Sequence, residues 1–147
     1  MKQLVLIAAS VYGTISVILG AFGAHAFKAM LTPDKLASFD TGVRYQMYHA
    51  IVLLVIGLTL SFTSSLEKWA AISIIVGVFL FSFSIYFLAF SEYWNVNLKF
   101  LGPITPIGGM FMIAGWCCWL YFSLKIKLFN FFLIFSVTKN IVMPSYL

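Results

Sequence analysis

Six polar side chains stand near the ends of long apolar runs: His25, Asp40, Arg44, Gln46, His49 and Glu92. Groups of this kind could bind a ligand or relay a proton. Histidine changes charge near neutral pH, and a polar side chain at the edge of hydrocarbon usually faces a partner or a water-filled cavity. Asp40 and Arg44 are four residues apart, as are Tyr45 and His49, so each pair shares a face of a helix. The plainer reading is structural: a hydrogen-bonded belt in which Arg44 meets Asp40 or Glu92 and the histidines meet backbone carbonyls. That belt is the favoured reading, with the binding or proton-relay site as the alternative. His25 and His49 lack a carboxylate or cysteine at ligand spacing, so no metal or haem site is assigned and no cofactor is expected. The sequence holds no His-Glu-x-x-His, no Gly-x-Ser-x-Gly and no phosphate-cradling glycine loop. No catalytic residue is assigned, and the chain is read as non-enzymatic.

These groups are embedded in an apolar background. Of 147 residues, 63% are hydrophobic and 9% charged, against roughly 45–50% and about 25% in an ordinary globular domain. Nine Lys/Arg and four Asp/Glu cannot cover the surface of a soluble domain of this size. A water-soluble enzyme, a disordered tail and a nucleic-acid binder are excluded together. The net charge of +5 does not restore the last, because the basic residues are scattered. The remaining class is an integral membrane protein whose first partner is the lipid bilayer.

Four stretches can carry the chain across roughly 30 Å of hydrocarbon, which takes about 20 apolar residues: 4–27, 45–66, 69–91 and 100–124. Each is expected to be helical, since runs such as residues 51–56 do not alternate as barrel strands do. The first stretch is read as a retained helix, because its apolar core outruns the 7–15 residues or so of a signal peptide. In the first linker, Thr32-Pro33-Asp34 predicts a short interfacial helix through Phe39 that ends near Gly42. Ser64-Ser65-Leu66-Glu67-Lys68 reads as a tight turn, and Thr105-Pro106 as the start of the last helix, entered by extended chain. The expected fold is all-α: a polytopic four-transmembrane-helix bundle over residues 1–125, followed by a tail, 126–147. The apolar part of that tail, 128–137, is too short to span and is expected in the interface, dispensable for the core.

Small residues fall in stripes: Gly13, Ser16, Gly20 and Ala24; Gly57 and Ser61; Ala70, Ser73, Gly77 and Ser84; Gly108, Gly115 and Cys118. They are read as contacts inside one bundle rather than as a dimerisation face. Cys117 and Cys118 are adjacent and read as small core hydrophobes. Parity of the crossings places His25, Arg44, His49 and Glu92 toward one side, where they are expected to converge. The distribution of lysines and arginine leans both termini toward the cytoplasm.

Three segments carry a resemblance: Gly20-Ala21-Phe22-Gly23-Ala24-His25-Ala26-Phe27, then Thr41-Gly42-Val43-Arg44-Tyr45-Gln46-Met47-Tyr48-His49-Ala50, then Gly102-Pro103-Ile104-Thr105-Pro106-Ile107-Gly108-Gly109. In this order, over roughly residues 1 to 125, they resemble the YgdD-like family of small bacterial inner-membrane proteins, domain of unknown function 423. The resemblance implies a four-helix, multi-pass protein of the inner (plasma) membrane with no assigned activity, and it does not extend to residues 126–147. Two functions stay open. One is a non-enzymatic accessory or scaffold bundle, with a membrane protein or a second copy as partner. The other is an oligomeric small carrier or channel for protons, ions or an amphiphile, built on His25, Arg44, His49 and Glu92.

Overall fold

A computed structural model describes the backbone of residues 1–142 and the side chains of residues 1–125. Four helices follow one another: α1 (Lys2–Ala24), α2 (Pro33–Thr59), α3 (Ser65–Phe90) and α4 (Ile104–Val142), with 3-10 turns at Ala26–Ala29 and Lys99–Leu101. No strand occurs among the described residues. Among the described residues, three segments are long and apolar enough to cross a membrane: Lys2–Ala24, Ser65–Phe90 and Lys99–Lys125. α2 does not join them, since Arg44, Gln46 and His49 dilute its apolar run.

The helices alternate in direction. Leu6 lies against Gly57, Ala50 against Gly13, Val43 against Gly20 and Asp40 against Gly23, so α1 and α2 run antiparallel in one continuous register. α3 and α4 do the same, from Ser84 with Thr105 to Ile74 with Gly115. α1 packs along α2, α2 along α3 and α3 along α4, while α1 meets α3 only briefly. Among the described residues, the α4 backbone makes no close approach to α1 or α2. The four helices therefore form a row, with one groove between α1 and α3 and another between α2 and α4.

The tightest crossing is built on glycine. A Cβ on Gly108 would collide with the backbone nitrogen of Phe81, and one on Gly77 would stand 2.6 Å from the nitrogen of Met112. Gly115 meets Ile74 and the carbonyl of Ala70 in the same way. Backbones that approach this closely gain dispersion contacts that lipid cannot supply. The small-residue stripes of α3 and α4 thus face each other inside one chain.

Several boundaries differ from the sequence expectation. Residues 33–42 are not a separate interfacial helix but the first part of α2, which starts at Pro33 and runs on through Gly42. Gly42 does not stop the helix; it admits the Tyr86 ring, whose Cε1 would lie 2.8 Å from a Cβ there. α2 ends at Thr59, so the turn is residues 60–64 and Ser65 already belongs to α3. Ser64 and Glu67 form a reciprocal capping box, each side chain bonding the other's backbone N–H. Phe62, in the left-handed region at φ 55, is held there by a side chain buried at 5% exposure. Before α4 the chain coils into a 3-10 turn rather than entering extended, and the helix starts at Ile104. α4 then continues past Lys125 without a break to Val142. The side chains of the expected interfacial segment, and residues 143–147, lie outside the described residues. Cys117 is exposed and Cys118 half-buried, which corrects their reading as core residues: consecutive positions on a helix point about 100° apart, and neither is enclosed.

Candidate functional site

Gln46 is fully buried at the middle of the row. Its Nε2 donates to the carbonyl of Tyr12 on α1 at 3.0 Å, and its Oε1 accepts from the Tyr86 hydroxyl on α3 at 2.8 Å. A backbone carbonyl can only accept, so the amide orientation is fixed by its partners. The Tyr12 hydroxyl in turn donates to the carbonyl of Ile75 on α3 at 2.8 Å. One turn away, Ser82 on α3 donates to the carbonyl of Gly42 at 3.0 Å. Three helices are thereby tied by polar bonds that give the Gln46 amide a partner at each end.

His49, three residues along α2 and about 60° round the helix from Gln46, reaches toward α4. Its Nδ1 is 2.8 Å from the carbonyl of Tyr45, and its Nε2 is 3.2 Å from Nε1 of Trp116. The carbonyl is an acceptor and the indole N–H a donor, so the ring is neutral with its proton on Nδ1. The ring of Tyr45 stacks beside it and packs against Phe81. This imidazole bridges α2 to α4, whose backbones do not otherwise meet.

The remaining sequence-predicted residues separate into surface features at the Ala24 end of α1. Glu92, exposed, pairs with Lys35 at 3.4 Å rather than with Arg44, because Lys35 sits on the first turns of α2 beside the end of α3. Arg44 is exposed and makes no ion pair among the described residues. Asp40, half-buried, lies over Gly23, and both residues line a recess with Lys28. His25 is the exposed C-cap of α1, its side chain making no hydrogen bond among the described residues.

The expected convergence is therefore partial. Antiparallel packing brings His25, Asp40, Arg44 and Glu92 to one end of the row. His49 lies nine residues beyond the level of Asp40, about 13 Å at 1.5 Å per residue. The two histidines do not share a site. The residues that complete the buried network, Tyr12, Ser82 and Tyr86, and the exposed Trp116 that meets His49, are not marked by the sequence as site candidates. A glutamine inside an apolar helix demands two partners, and tyrosines well within spans, such as Tyr12 and Tyr86, were the available signal.

Among the described residues, no three His, Cys, Asp or Glu side chains are grouped to hold a metal ion. The polar groups present can bond helices to one another and present charge at the bundle end.

The family model described as "Protein of unknown function (DUF423)" matches residues 19–109, more than half of the chain. A UPF0382 membrane protein of Staphylococcus haemolyticus is 41% identical over 102 residues, covering 69% of this chain and 80% of the relative. One from Haemophilus influenzae is 40% identical over 126 residues, covering 86% and 96%. The UPF0382 inner membrane protein YgdD of Escherichia coli is 32% identical over 127 residues, covering 86% and 93%. No solved structure matches the chain. With three membrane-length apolar segments and these relatives, the chain is a multi-pass protein of the bacterial inner (plasma) membrane and belongs to the DUF423 family.

Proposed function

We propose that this protein is a four-crossing, non-enzymatic scaffold or accessory subunit of the membrane. The observation that carries the reading is the Gln46 amide, buried completely and bonded at both ends to neighbouring helices. A polar group placed to move cargo would keep a face toward a cavity or an entry path. This one is spent on joining α1, α2 and α3. The same bonds support α2 as the fourth crossing: polar side chains in hydrocarbon are tolerated when they pair inside the protein. Pro33–Arg44, the charged N-terminal part of α2, then lies at the interface, continuous with the span.

The reading is tested by counting subunits in mild detergent and reconstituting the protein into vesicles loaded with a pH-sensitive dye. A scaffold leaves proton flux at the level of protein-free vesicles. Flux above that level, abolished by His49→Ala, would establish the carrier or channel instead.

A further inference from the structure

We propose that the recess between the end of α1 and α2 binds the headgroup of an ethanolamine phospholipid. The recess, about 390 Å³, is floored by Gly20, Gly23 and Ala24 and carries Lys28, Asp40 and Arg44. Three charged side chains line one small hollow, yet none is engaged in an ion pair among the described residues. Asp40 is half-buried, its carboxylate set over Gly23, where the absent Cβ leaves it room. A carboxylate held in that position calls for a cation that donates hydrogen bonds, and Lys28 lines the same hollow outside ion-pair distance.

The order of the charges matches a zwitterionic lipid. Arg44 lies one turn deeper along α2 than Asp40, about 6 Å at 1.5 Å per residue, and Lys28 sits on the outer turn. A phospholipid standing in the leaflet presents its phosphate toward the hydrocarbon and its ammonium outward. Arg44 suits the phosphate, which a guanidinium grips with two parallel bonds. Asp40 accepts from the primary ammonium, and Lys28 adds positive charge at the rim. A purely anionic headgroup satisfies the two cations but meets repulsion from Asp40; a trimethylated ammonium offers Asp40 no donor. The inference rests on the membrane placement given under the proposed function, with this end of the row at the bilayer edge. It is independent of whether the protein is a scaffold or a carrier.

The test is native mass spectrometry of the full chain in detergent, titrated with phosphatidylethanolamine, phosphatidylcholine and phosphatidylglycerol of identical acyl chains. Ethanolamine lipid should be retained over both others. Asp40→Asn should weaken it roughly tenfold, the value of about one charge-assisted hydrogen bond, while retention of phosphatidylglycerol holds or rises. Arg44→Gln should weaken every phospholipid. Equal retention of ethanolamine and choline lipids by the unaltered chain overturns the proposal without recourse to any variant. So does stronger retention of phosphatidylglycerol than of the ethanolamine lipid, or an Asp40→Asn protein that holds the ethanolamine lipid as well as before. Retention is read on purified protein, so a failed topology and a failed headgroup preference are told apart.

Discussion

The Tyr86 hydroxyl donates a 2.8 Å hydrogen bond to Oε1 of Gln46, joining α3 to α2 at residues forty apart in the chain. The other end of the same amide reaches α1 through the carbonyl of Tyr12. Interhelical hydrogen bonds in membrane proteins contribute about 0.6 kcal/mol each on average, up to about 1.7. An orphaned buried partner adds a further cost. Gln46→Leu should therefore destabilise the fold by about 1–3 kcal/mol, measured by unfolding in mixed detergent micelles. Combined with Tyr86→Phe, the two losses should fall short of additive, because they share one bond. Strict additivity would show that the two side chains do not interact.

Adjacent glycines on α4 should respond unequally. A Cβ on Gly108 strikes the backbone of Phe81, whereas one on Gly109 finds its nearest neighbour, a Phe81 ring carbon, at 4.0 Å. Gly108→Ala should cost about 1–3 kcal/mol by forcing α3 and α4 apart. Gly109→Ala should stay within about 0.5 kcal/mol of the unaltered chain. Folded yield in detergent reads both, and equal effects would mean that the crossing does not run through Gly108.

The His49–Trp116 contact requires a neutral imidazole. Protonation puts an N–H on Nε2 facing the indole N–H, two donors with no acceptor between them. Trp116 emission, isolated as the difference from a Trp116→Phe protein, should therefore change as the pH is lowered. His49→Phe should remove that change. A pH response that persists in His49→Phe would assign it to another group.

Helix number and type were legible from apolar run length alone, because residues 4–27 and 69–91 need no distant partner to be helical. The start of α2 was legible at Thr32-Pro33, where local capping decides the matter. Its continuation through Gly42 was not, since that depends on the Tyr86 ring filling the space above the glycine. The capping box at Ser64 and Glu67 is written in the sequence as Ser-x-x-Glu, a signature that starts α3 within the stretch that otherwise reads as a turn. At the site, Gln46 and His49 could be singled out by polarity, but not their partners. Tyr12 lies 34 residues from Gln46 and Trp116 lies 67 from His49, separations that only packing connects. Charge and helix end point Arg44 to Asp40 or Glu92, but among the described residues it pairs with neither; Lys35 stands nearer to Glu92 and takes it.

Four crossings are the central claim, and α2 decides it, being the helix that its own polar residues make least apolar. Reporter fusions or single cysteines placed after Lys2, at residues 28–32, at residues 60–64 and after Lys127 measure this directly. Four crossings put Lys2, residues 60–64 and Lys127 on one side of the membrane and residues 28–32 on the other. Finding residues 60–64 on the same side as residues 28–32 would mean that α2 does not cross, and would contradict the proposed four-crossing arrangement.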